Sequence, residues 1–66
     1  FTEAEEVFRQ VLDVRPDDDY ALLHLAKALL GNRRPDEARI LLRRVLELGS
    51  SSTYFEQARE MFEALG

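Results

Sequence analysis

Sixty-six residues, 45% hydrophobic and 33% charged, make room for one small folded domain and no more. The lack of cysteine excludes disulfide staples and cysteine-based metal or redox chemistry. A net charge of −4 disfavours nucleic acid and anionic lipid, and no apolar run approaches the roughly 18 residues of a membrane span.

The first element reads as a helix over 2–14. Ala4, Val7, Phe8, Val11 and Leu12 recur at the spacing of one helical face. Glu3, Glu5 and Glu6 crowd its first turn, where the helix dipole favours negative charge. Pro16 stops it, because the residue before a proline is pushed out of helical geometry. Asp17, Asp18 and Asp19 then offer capping oxygens to a second helix over 19–31. Its stripe is Leu22, Leu25, Ala26 and Leu29, and Gly31 and Asn32 are expected to supply the left-handed turn that ends it.

Pro35 suits the first turn of a third helix over 35–48, with Asp36 and Glu37 beside it and a core face of Ala38, Leu41, Leu42, Val45 and Leu46. Gly49 and Ser50–Ser52 form the stop and the link. Thr53 and Glu56 have capping-box spacing, which opens a fourth helix over 53–65 with Tyr54, Ala58, Met61 and Leu65 on one side and Gly66 beyond its end. No alternating run suggests a strand. The expected fold class is all-α, an antiparallel helix-hairpin solenoid of four helices.

The chain repeats itself at a fixed distance. EAEEVFRQVLDVRPDD, from Glu3, and EARILLRRVLELGSSS, from Glu37, lie thirty-four residues apart. Phe1/Pro35, Ala4/Ala38, Phe8/Leu42, Val11/Val45 and Leu12/Leu46 fall into the same register. Such a period between helix pairs marks a solenoid, in which each unit buries its apolar face against the next. The run Ala4-x3-Phe8-x2-Val11-x4-Pro16, followed by Leu22, Leu25-Ala26 and Leu29 in the next helix, resembles the tetratricopeptide repeat family. Leu replaces that family's Trp and Tyr, and Ser50 stands where its closing Pro belongs. The last helix leaves the register. A slip of two residues aligns Tyr54, Ala58 and Met61 with Leu22, Ala26 and Leu29.

The resemblance implies one domain over 1–66. Residues 1–17 hold the second helix of a partial repeat, 18–52 one complete repeat, and 53–66 a terminal capping helix. It implies a non-catalytic module that binds a protein or peptide on the concave face lined by first-type helices. On that face lie Tyr20, Leu23, Lys27 and Leu30, with Phe55, Arg59 and Phe62 in the last helix. Aromatic and aliphatic anchors beside two cations suit a partner carrying an acidic group. The terminal-carboxylate clamp known in the family is not matched, since of its Asn and Lys side chains only Lys27 is in place. A second expectation is structural: a self-assembling or capping segment that buries these stripes against copies of itself or neighbouring repeats. One full unit and two halves is fewer than the roughly three repeats such arrays need, so self-association or moderate stability is expected.

Arg33, Arg34, Arg39, Arg43 and Arg44 form a secondary basic patch, read first as a solvated face balanced by nearby carboxylates and second as a dock for an acidic partner. The aspartate triplet lacks the spaced ligands and glycine of a calcium loop. His24, the single histidine, has no companion for metal or nucleophilic chemistry. No cofactor is expected. The start on Phe1 rather than Met suggests a piece of a longer protein, and eight arginines to one lysine suggest a GC-rich bacterial source. The compartment is unknown; a soluble, cytoplasmic setting is the working expectation.

Overall fold

The structure is a computed structural model that describes residues 2–65. The equivalence of Phe1 with Pro35 and the place of Gly66 lie outside those residues. Four helices follow in order: α1 (Thr2–Val14), α2 (Asp19–Gly31), α3 (Pro35–Leu48) and α4 (Phe55–Ala64). Each packs against the next in sequence, as consecutive antiparallel hairpins do. The Cα envelope measures 29 × 26 × 14 Å. The thin dimension is about that of two helix layers at the usual interaxial spacing of about 9–10 Å.

Local chemistry sets most boundaries. The α1 ladder ends with Arg15 N–H donating to the Val11 carbonyl at 2.8 Å, immediately before Pro16. The Asp18 carboxylate caps α2 by accepting from Ala21 N–H at 3.0 Å. Asp19 accepts from the Ser52 hydroxyl, and Asp17 pairs with Arg44 at 3.7 Å. The aspartate triplet therefore ties three segments together, and each carboxylate has a partner.

The end of α2 departs from expectation. The left-handed residue is neither Gly31 nor Asn32 but Arg33, at φ 60°. Arg34 N–H reaches the Leu29 carbonyl at 2.8 Å and Arg33 N–H reaches that of Leu30 at 3.1 Å. These two bonds make a Schellman motif with Arg33 in the place that glycine usually takes. Pro35 then opens α3 at its first position, as its missing N–H allows. Gly49 ends α3 at φ 94°, ψ 175°, a region open only to glycine.

The fourth helix starts two residues later than expected. Thr53 makes no capping box, and the residue preceding the helix is Tyr54, whose N–H is bound at 3.2 Å by the Ser52 hydroxyl instead. Because α4 is short, Ala58 lies in its first turn.

Packing centres on α2. Leu22, Leu23, Leu25, Ala26 and Leu29 join Ala38, Leu42, Val45 and Ala58 in one buried cluster. Ala26, Ala38 and Ala58 are each fully buried, where small side chains let helices approach closely. Each buried leucine is worth about 1.5–3 kcal/mol, so α2 is the main source of stability. The face expected on α1 is only partly used. Phe8 and Leu12 pack against the cluster, but Val7 stays 56% exposed because no described helix covers that side.

Two equivalent positions show how the repeated helices are fastened. Glu5 of α1 is buried, accepts from the Asn32 side chain at the end of α2, and lies 3.7 Å from Arg9 and 3.8 Å from Arg34. Arg39, thirty-four residues on, donates to the Leu65 carbonyl at the end of α4 at 3.0 Å. The same slot joins α1 to the end of α2 in one copy and α3 to the end of α4 in the other. An acid meets an amide in one copy, and a guanidinium meets a carbonyl in the other.

Candidate functional site

The seven residues expected on one concave surface divide into three groups. Tyr20 (50% exposed) and Lys27 lie at the surface of α2, and Lys27 makes no ion pair among the described residues. Phe55 is half-buried at the start of α4 without packing against the central cluster. Leu30 and Phe62 are half-buried and do pack against it. Leu23 is a correction: it is fully buried within the cluster, so no partner can touch it in this conformation. The stripe of Tyr20, Leu23, Lys27 and Leu30 assumes a one-sided helix, but α2 is enclosed on several sides.

Arg59 is exposed but engaged. Its guanidinium donates to Glu56 at 2.7 Å. That bond and the charges of Glu56, Glu63 and Glu60 hold its proton more firmly than usual. Lys27 is thus the cation better placed to meet an acidic group.

The arginine patch is dispersed. Arg34 lies near Glu5, Arg39 binds the Leu65 carbonyl, Arg43 lies 3.9 Å from Glu47, and Arg44 pairs with Asp17. Only Arg33 has no such partner among the described residues, and it occupies a turn. The guanidiniums of Arg34, Arg39 and Arg44 reach other segments of the chain, and that of Arg43 pairs within α3.

An aromatic group beside Tyr20 escapes the stripe reading. The Tyr20 and His24 rings lie 4.2 Å apart. Tyr54 sits edge-on to Tyr20 at 5.9 Å, and Phe8 stacks on His24 at 5.7 Å. Residues of α1, α2 and the link before α4 thus form a terrace of rings, with Tyr20 its most exposed edge. A signal existed: Tyr54 follows Tyr20 by thirty-four residues. The two-residue slip, which suits Ala58, hides that coincidence. Burial, and then the nearby Lys27 charge, pull the His24 pKa below its ordinary value. That shift favours the neutral imidazole. Among the described residues no group of three metal-binding side chains converges, and no helix is long and apolar enough to cross a membrane.

The family model for the tetratricopeptide repeat matches residues 1–60. No curated protein and no solved structure matches the chain.

Proposed function

Since the chain belongs to the tetratricopeptide repeat family, whose members are generally protein–protein interaction modules, we propose that it binds an extended peptide or partner segment across α2 and the start of α4. The observation that carries this reading is the half-exposed Tyr20, set in its ring terrace about two helical turns from the uncommitted Lys27. Rings already packed on one another lose little freedom when a ligand covers them, which favours their use as anchors. Lys27 adds a charge for an acidic group on the ligand, and Phe55 extends the apolar surface towards α4. The module has no catalytic role in this reading, in keeping with repeats that typically act as scaffolds.

Selection of a random peptide library on the chain, followed by calorimetry of the selected peptides, tests the reading. Tyr20→Ala and Lys27→Glu are each expected to weaken binding by about tenfold or more, about 1.4 kcal/mol. Selected peptides that bind both variants as tightly as the parent chain would place the ligand elsewhere and overturn it.

A further inference from the structure

The rings of Tyr20 and Tyr54 meet edge-on at 5.9 Å. Tyr20 belongs to α2 and Tyr54 to the link before α4, so the step between them is bounded by two described segments. A helix stacked before α1 or after α4 would add to an end of the array, not between these rings. Neither tyrosine hydroxyl makes a hydrogen bond among the described residues, and neither does the His24 ring or the Lys27 ammonium. The terrace therefore carries hydrogen-bond donors that the chain itself does not use.

The surface also has a direction. Asp17, Asp18 and Asp19 lie just before Tyr20, and Lys27 lies beyond it on the same helix. A ligand carboxylate is repelled at the first end and attracted at the second. From Tyr20 to Lys27 the helix rises about 10 Å. An extended or polyproline II segment advances about 3.1–3.3 Å per residue, so about three residues cover that distance. Two hollows open elsewhere on the molecule, one lined by Val7, Val11 and Val14 and the other by Leu29, Ile40 and Leu41, and neither reaches the rings. What Tyr20 offers instead is a set of inclined ring faces, tilted 42° from His24 and 69° from Tyr54. Flat faces suit a compact pyrrolidine ring better than a long side chain, which needs a hole to fill.

Resting on the reading that α2 binds an extended segment, we propose that this segment is a proline-bearing polyproline II stretch with an Asp or Glu three residues from its proline. The proline lies on the Tyr20 and Tyr54 rings, and the acid meets Lys27. A polyproline II backbone makes no internal hydrogen bonds, so its carbonyls are free to accept from the two tyrosine hydroxyls. A helical ligand spends its carbonyls on itself. The preset backbone of proline also lowers the ordering cost of binding, which is how aromatic-lined surfaces hold such segments without deep anchors.

Fluorescein-labelled nine-residue peptides, read by anisotropy, test the proposal. Two carry a central proline with Glu three residues before or three residues after it, and the tighter order is carried forward. Replacing its proline with Ala, replacing its Glu with Lys, or moving the Glu next to the proline should each weaken binding at least about fivefold. Tyr20→Phe with Tyr54→Phe, which keeps the rings and removes the hydroxyls, should weaken it by a similar factor. Lys27→Glu should make the Lys peptide the tighter one. An Ala peptide that binds as well as its proline parent, and is lost on Tyr20→Ala, would overturn the proline assignment and leave the wider reading standing. Proline peptides whose binding neither Tyr20→Ala nor Lys27→Glu alters would overturn both. Proline peptides that do not bind at all overturn the proposal, and the wider reading then survives only if library-selected peptides bind and need Tyr20.

Discussion

Replacing Arg33 with glycine should stabilise the protein, although it removes a charged side chain and adds no contact. Arg33 sits at φ 60°, and two Schellman bonds through its own N–H and that of Arg34 hold it there. A left-handed conformation costs a residue with a Cβ about 1–2 kcal/mol. Glycine avoids this but loses more chain freedom on folding, which takes back about 0.4–1 kcal/mol. The exposed Arg33 side chain has no ion pair among the described residues to set against the difference. The net gain is about 0.5–1 kcal/mol. In a domain this small that corresponds to a Tm rise of roughly 2–8 °C. In urea the midpoint should move up by about 0.5–1 M for a slope near the low end of the usual range. Thermal and urea melts of Arg33→Gly and Arg33→Ala, run beside the parent chain, make the measurement. Alanine removes the same charge and keeps the strain, so the Gly–Ala difference isolates the backbone. If the two variants melt together, Arg33 is not strained and the account of the α2 end is wrong.

Leu23→Ala should cost about 2–5 kcal/mol as a core truncation, whereas Tyr20→Ala should cost clearly less; equal losses in urea melts would contradict the division between core and surface on α2. Glu5→Ala should cost about 1.5–3 kcal/mol, the range for a hydrogen bond to a charged group, because it leaves the Asn32 amide without its acceptor. Glu5→Gln, which can still accept, should lose less, and the reverse order in chemical denaturation would refute the role of that bond. The His24 pKa is lowered on folding, so the unfolded state binds the proton more readily. The stability His24 contributes is therefore full above about pH 6.5 and declines as pH falls towards the folded pKa. His24→Gln should flatten that slope in denaturation curves taken above the carboxylate range, and an unchanged slope would remove His24 as its source.

The site was legible in part. Tyr20 and Lys27 stand at the surface where helical spacing places them, but the same spacing misplaces Leu23. A stripe at i, i+3 and i+7 describes one face of a helix without saying how many neighbours that helix has. Because α2 packs between α1 and α3, its second face is core as well. Conversely, the pattern of α1 reads as core, yet Val7 faces solvent and Val11 is only partly buried. The ring terrace depends on three segments converging, which no pattern confined to one helix reports. The arginines are neighbours in one dimension, but Arg34, Arg39 and Arg44 each reach a different segment, to Glu5, the Leu65 carbonyl and Asp17.

Helix type, number and most boundaries follow from interactions within a few residues: apolar periodicity, Asp18 as a cap, Pro16 and Pro35, and glycine at the end of α3. The thirty-four-residue period adds the architecture, because residues that repeat at that distance must fill equivalent slots. Those features the sequence determined by itself. Tertiary structure alone decided which equivalent slots are filled alike. Val45 is buried and Val11 only partly, although both occupy the same place in the repeat. The physical reason is that burial belongs to a pair of surfaces. A sequence specifies the apolar stripe a helix offers, whereas the neighbour that covers it, or leaves it open for a partner, is set by assembly.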